Sequence, residues 1–400
     1  MFQTIEAAPP DSILGLTDAF KKDPSPDKIN LGAGVYKDDA SQTPVLRAVK
    51  AAEERLLKEE STKVYLPIAG QPEYAHLVRG LLFGAEHPLV GADRAKTAYT
   101  PGGTGGLRVG ADFLKSNLSA ERVWLSSPTW ANHRPVFTAA GFALAEYPYY
   151  RPATKDLDYA GMLRTLGGLG ARDVVVLQPC CHNPTGVDLS MDQWREVAAL
   201  AARRGWIPFL DFAYQGFGSS VEEDRAPLAV FAAAGADFLV ASSFSKNMGL
   251  YRERTGALTL IASTAAAADA AYSQLKRTIR ANYSNPAAHG ALVAQMILED
   301  AELRAQWRTE LEEMRRRIAA VRAVFVAKLK SGGANGDFAH IADQRGMFSF
   351  SGLTDAQVDF LRREKSIYIV QGGRISVAGI TTGNLDYLCA SIVEALARAA

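Results

Sequence analysis

From about residue 97 the chain alternates short β-rich runs with segments of helical spacing, and no other feature limits the fold as much. The runs are RVWLS (122–126), DVVVLQ (173–178), WIPFL (206–210), DFLVA (237–241) and ALTLIA (257–262). Each is apolar on both faces and too short for a helix, so each reads as a strand covered on two sides. Such strands, separated by helices, build a largely parallel sheet in an α/β domain. The 400 residues, 48% of them hydrophobic, suffice for a large core, and the length favours roughly two or three domains.

Outside this region the pattern is helical. TPVLRAVKAAEERLLKEE carries Val45, Val49, Ala52 and Leu56 at helical spacing, after a proline-rich loop in KKDPSPDKIN. ASTAAAADAAY reads as an alanine-rich helix. AELRAQWRTELEEMRRRIAAVRAVFVAKLKSGG predicts a long amphipathic helix around 301–330. Its apolar stripe is Leu303, Trp307, Leu311, Met314, Ile318, Val321, Phe325 and Leu329, with Gly332 and Gly333 as its stop. The RRR at 315–317 reads as a solvated helix face. A helix of that length suits a connector between a large domain and a C-terminal one.

Charge excludes some functions. With 44 basic and 43 acidic residues the formal charge is +1, which supplies no field to draw nucleic acid or an anionic membrane. The three cysteines, Cys180, Cys181 and Cys389, are too few for a disulfide framework and point to a reducing compartment. No CxxC or HExxH spacing suggests zinc. The opening MFQTIEAAPPDSILGL lacks the regions of a signal peptide, and no run approaches the roughly 18 apolar residues of a membrane span. The expectation is a cytoplasmic protein.

Chemistry-bearing residues gather at the ends of the predicted strands, where open α/β sheets present ligand groups. TPGGTGGLRVGADFL places glycines and Thr104 ahead of a helix, a plain turn or a phosphate cradle. Asp211, in WIPFLDFAYQGF, is a helix cap, a structural ion pair or the partner of a cationic ligand atom, because a buried carboxylate needs one. Tyr214, three residues on, packs there or adds a phenol. CCHNPTGVDLS is strong turn chemistry that also offers Asn183. SSFSKNMGLYRERTG sets Lys246 just past DFLVA, with Arg254 two turns further on at helical spacing. Alone, Lys246 is solvated, phosphate-binding or covalent. Taken with the acid, the amide, the glycines and the arginine, an aldehyde cofactor bearing a phosphate and a ring nitrogen uses every group, since a desolvated lysine near cations is a nucleophile toward aldehydes.

These segments, together with SSPTWANH, IRANYSNPAAHG and GMFSFSGL, closely resemble the aspartate and aromatic amino-acid aminotransferases of fold type I. The likeness runs in order from AAPPDSILGL to GGRISVAGI. The resemblance implies a pyridoxal-phosphate-dependent α/β fold with a large domain built on a mostly parallel seven-stranded sheet between helices, plus a smaller α/β domain. The expected division is an N-terminal arm and part of the small domain at 1–45, a cofactor-binding domain at 46–310 and a C-terminal part at 311–400. It implies pyridoxal 5′-phosphate tethered to Lys246, with Asp211 on the ring nitrogen and His133 behind it. Tyr214 and Asn183 take the ring oxygen, and Trp130 the ring face. Gly103, Thr104, Ser243, Ser245 and Arg254 take the phosphate, with Tyr65 from a neighbouring subunit of a homodimer. Arg374 takes the substrate α-carboxylate near Gly34, and Arg280 of the neighbour the distal carboxylate.

The two branches of the family share this set. Val35, Lys37, Thr43, Thr104 and Asn285 resemble the aspartate-preferring pattern. Val64 stands where asparagine is expected, and YLPIAG and AEYPYY resemble the aromatic branch. Gln178 replaces a usual histidine. The expectation is an aspartate:2-oxoglutarate aminotransferase with some aromatic activity, the alternative an aromatic-amino-acid aminotransferase and the remote one a pyridoxal phosphate lyase or decarboxylase.

Overall fold

A computed structural model describes residues 1–8 and 14–398, so PPDSI (9–13) in the first resembling motif lies outside the described residues. The chain forms two compact units, Pro44–Arg316 on one side and Met1–Thr43 with Arg317–Ala400 on the other.

The larger unit is built on a seven-stranded sheet: β1 (Ala95–Pro101), β2 (Arg122–Ser127), β3 (Ala143–Pro148), β4 (Asp173–Leu177), β5 (Ile207–Phe212), β6 (Phe238–Ser243) and β7 (Thr255–Ile261). Their order is β1-β7-β6-β5-β4-β2-β3. β7 pairs antiparallel with both β1 and β6, and the other neighbouring pairs are parallel. Six strands therefore end at one edge of the sheet, and β7 begins there. Val123, Leu125, Val174, Val176, Phe209 and Leu258 contribute to a core shared with Leu107, Phe113 and Leu114 of helix α1 (Gly102–Asn117). Helix α2 (Met191–Arg204), between β4 and β5, opens on a Ser190/Gln193 capping box and stops at Gly205, whose φ of +78° needs no Cβ.

Several expectations need correction. The glycines of TPGGTGG do not precede a helix; they form its first turn, because β1 runs straight into α1. Small residues are required there, since a Cβ on Gly106 would lie 3.3 Å from Ala241 Cβ and from the Ala257 carbonyl oxygen. Lys246 and Arg254 are joined by a turn-rich loop rather than a helix, because the antiparallel reversal from β6 to β7 leaves no helical crossover. Val45 lies before the helix Arg47–Glu59 and is 51% exposed, while Val49, Ala52 and Leu56 are buried as the spacing predicts.

The long helix, α3, spans Ala301–Ser331. Trp307, Leu311, Met314, Ile318, Phe325 and Leu329 are buried, whereas Leu303 and Val321 are only half-buried. The RRR run is not a solvated face throughout. Arg316 is exposed, but Arg315 Nη1 donates to the Gly216 carbonyl at 3.1 Å and Arg317 Nη2 to the Ile380 carbonyl at 2.9 Å. Guanidinium groups reach past a helix flank while their stems pack along it.

The smaller unit holds two short ladders. Phe348–Phe350 pairs antiparallel with Arg374–Ser376, and Ile29–Asn30 pairs parallel with Ile367–Tyr368. Arg322, 3% exposed, is buried among carbonyls of Ile341, Gly346 and Phe348 and the Ser349 hydroxyl. No described helix is long and apolar enough to cross a membrane.

Candidate active site

The edge where the parallel strands end gathers most of the expected residues. Asp211 is the penultimate residue of β5 and 8% exposed. Its Oδ2 lies 3.0 Å from His133 Nε2, and His133 Nδ1 lies 2.8 Å from the Thr129 hydroxyl. An ionised carboxylate only accepts, so Nε2 carries the imidazole proton and Nδ1 accepts from Thr129. The chain Thr129–His133–Asp211 thus aims a fixed negative charge. Thr129 received no role from the sequence, although its spacing of four from His133 within SSPTWANH was the available signal. Trp130 packs edge-on against His133, with ring centroids 5.3 Å apart.

Lys246, in the loop after β6, places Nζ 5.2 Å from the centroid of the Tyr214 ring. Asn183 Nδ2 donates to Tyr214 Oη at 3.4 Å. The amine, the phenol and the amide therefore meet from three strand ends. The Lys246 loop is anchored from below, where Trp307 Nε1 donates to the Asn247 carbonyl at 2.7 Å.

A second cluster gathers hydroxyls, a guanidinium and glycines. Ser243 Oγ donates to Ser245 Oγ at 3.0 Å, and Arg254 Nη1 reaches Ser245 Oγ at 3.4 Å. The first turn of α1 supplies Gly102, Gly103 and Thr104 without a capping side chain at Pro101, leaving its backbone N–H groups for another acceptor. Gly102 has φ +69°, and a Cβ there would fall 2.6 Å from Arg254 Nη2; on Gly103 it would meet Ser243 Cβ at 3.4 Å. Glycine keeps this cradle open.

In the smaller unit, Arg374 is buried with its guanidinium carbon 4.3 Å from the Phe348 ring centroid, and its Nη2 donates to the Gly32 carbonyl at 2.6 Å. Gly34 faces the same ring, where a Cβ would lie 3.2 Å from Phe348 Cζ. Burial lowers the Lys37 amine from its usual range, and Thr43 Oγ1 donates to the Tyr36 carbonyl at 3.0 Å.

Tyr65 and Arg280 stand apart from these clusters. Tyr65 is 87% exposed, beside an exposed Val64, and Arg280 is exposed and bonded to the Ser284 hydroxyl. Asn285 Nδ2 donates to the Leu66 carbonyl at 3.0 Å, tying that segment to the one that carries Tyr65.

A carboxylate, an amine, a phenol, an amide and a glycine-lined turn, all on the carboxyl edge of a mostly parallel seven-stranded sheet, fit an aminotransferase of the pyridoxal phosphate type. The chain belongs to the family described as aminotransferase class I and II, whose sequence model matches residues 26–392. It is 52% identical to the aspartate aminotransferase of Escherichia coli (strain K12) over 396 residues, covering 99% of this chain and 100% of that one. To the aromatic-amino-acid aminotransferase of the same organism it is 46% identical, covering 96% and 98%. Among solved structures, the aromatic-amino-acid aminotransferase of Burkholderia pseudomallei, covalently bound to pyridoxal phosphate, matches with a TM-score of 0.96 at 48% identity over 99% of each chain.

Proposed function

We propose that the protein moves the amino group of L-aspartate to 2-oxoglutarate, with a lesser activity on aromatic amino acids, and that it works as a cytoplasmic homodimer. The donor set fits pyridoxal 5′-phosphate group by group: a nucleophilic amine, an oriented carboxylate, two donors for a ring oxygen and a glycine-lined cradle of hydroxyls and a guanidinium. The cofactor, when bound, supplies an aldehyde for the amino group and a ring that takes up the electron pair left at the substrate Cα.

The chain's own residues do the rest. Lys246 would hold the cofactor through its Nζ, and the same amine, once free, would take the proton from the substrate Cα. Asp211, oriented by His133 and Thr129, keeps a proton on the ring nitrogen. Asn183 and Tyr214 donate to the ring oxygen, and Trp130 covers the ring. Gly103, Thr104, Ser243, Ser245 and Arg254 bind the phosphate, joined by Tyr65 of a second copy. Arg374 beside Gly34 takes the α-carboxylate and Arg280 of the second copy the distal one, because a planar fork binds a carboxylate through two parallel hydrogen bonds. The open exposure of Tyr65 and Arg280 in the single chain supports their use by a neighbour.

The observation that carries this reading is the convergence of Lys246 and Tyr214 with the His133–Asp211 pair at one sheet edge. The resemblance of Val35, Lys37, Thr43, Thr104 and Asn285 to the aspartate-preferring pattern supports aspartate as the main donor. A half-reaction titration tests it: each amino acid added to the holoenzyme should bleach its visible band, aspartate faster than phenylalanine. An unbleached band with every amino acid refutes the transfer reaction, and faster bleaching by phenylalanine refutes the preference.

A further inference from the structure

Gln178 is the first residue after β4 and 5% exposed. Its side-chain amide makes two hydrogen bonds to the backbone of a single residue five positions on. Oε1 accepts from the Asn183 N–H at 2.9 Å, and Nε2 donates to the Asn183 carbonyl at 3.2 Å. The rest of the intervening loop is held by other groups. Asp188 accepts the N–H groups of Cys181 and His182 at 2.8 Å each, and the His182 ring lies between Ser126 and Thr185 hydroxyls at 2.9 and 2.8 Å. Those contacts stop at His182. The backbone on both sides of the Asn183 Cα is oriented by Gln178.

We propose that Gln178 is a positioning residue that sets the donor geometry of Asn183 toward Tyr214 and the bound cofactor. This rests on the role proposed for Asn183. The bidentate contact fixes the directions of the Asn183 N–H and carbonyl, and therefore of its side chain, whose Nδ2 reaches Tyr214 Oη. The task demands one donor and one acceptor in a single plane, in a buried place, at every working pH. Only an amide meets that demand. A carboxylate of the same shape presents two acceptors and sets one of them against the Asn183 carbonyl; protonated, it regains a donor. An imidazole, which presents its two nitrogens in a different geometry, cannot replace both bonds to one residue.

The test compares wild type, Gln178→Met and Gln178→Glu as holoenzymes, reading the pH titration of the visible absorption band as well as kcat/KM. Loosening Asn183 weakens a donor to the cofactor's ring oxygen, which leaves that oxygen more basic. The midpoint of the visible titration in Gln178→Met should therefore rise by about half to one pH unit, the size of one lost neutral hydrogen bond. Gln178→Glu should approach wild-type kcat/KM at low pH and fall away reversibly as its carboxyl ionises, a limb absent from Gln178→Met. Unshifted spectra in both variants overturn the proposal. So does a change confined to Gln178→Glu, which reports only the added charge. If Gln178→Met does not fold, Gln178→Leu takes its place, with the same upward shift expected and an unshifted band again overturning the proposal. A wild-type protein without a visible band refutes the cofactor reading itself, and this inference with it, so the two failures are distinguishable.

Discussion

Replacing Gly102 with alanine separates binding of the cofactor from stability of the fold. The methyl group must accept φ +69°, a left-handed backbone that costs a non-glycine residue about 1–2 kcal/mol. Its carbon would lie 2.6 Å from Arg254 Nη2 and 3.0 Å from Arg254 Cζ, against a normal separation of about 3.5 Å. The guanidinium tip must retreat by about 1 Å. It is the far end of a flexible chain, so the fold yields at little further expense, but the charge-assisted bond it offers a phosphate is lost or bent. Such bonds contribute about 1.5–3 kcal/mol, so the cofactor should bind roughly 10- to 150-fold more weakly. Titration of the apoprotein with pyridoxal phosphate, followed by absorbance, gives the dissociation constant. Calorimetry of the apoprotein gives the stability, which should fall by no more than the backbone strain. An affinity within about twofold of wild type, with the whole effect in apoprotein stability, would refute the cradle.

Two further outcomes concern Arg280 and His182. Arg280→Ala should lower kcat/KM for aspartate by roughly thirtyfold or more, from a lost carboxylate pair of about 2–5 kcal/mol, and affect phenylalanine much less; equal losses would remove Arg280 from the substrate. His182, buried and stacked on Tyr149 at 3.9 Å, has its pKa pushed down to about 3, chiefly by burial and then by His133. The unfolded chain takes up this proton near pH 6.5 and the native one does not, so its stabilising contribution is complete above that pH. It is lost as pH falls from about 6.5 to 3, by about 5 kcal/mol in all. Stability measured against pH should show a slope of about one proton in that window that His182→Asn abolishes, and parallel slopes would refute it.

The site was legible in the sequence for a topological reason. A parallel sheet sends all its strand ends to one edge, so residues just after apolar runs, Asn183, Asp211 and Lys246 among them, belong together before any contact is known. Two strands were illegible, one because its polar residues hide and one because it is mostly uncovered. Thr97 of β1 faces Thr259 of β7 across the ladder, their hydroxyls 2.8 Å apart, so β1, a terminal strand of the sheet that is nonetheless mostly buried, reads as half polar. β3 lies at the edge of the sheet, with only Tyr147 buried. Arg322 and Arg317 escaped for a different reason: carbonyl oxygens accept their guanidinium protons, and carbonyls leave no mark in a sequence. The bidentate grip of Gln178 on Asn183 was hidden likewise, since its partners are backbone atoms. Tyr65 and Arg280 stand exposed in the single chain, and the roles proposed for them rest on a second copy.

Central to the proposed function is a covalent link between the cofactor and one lysine. Borohydride reduction of the holoenzyme followed by peptide mass mapping reads it directly. The predicted result is one modified residue, Lys246, carrying the reduced cofactor as a secondary amine. Attachment at any other lysine, or none, would contradict the account.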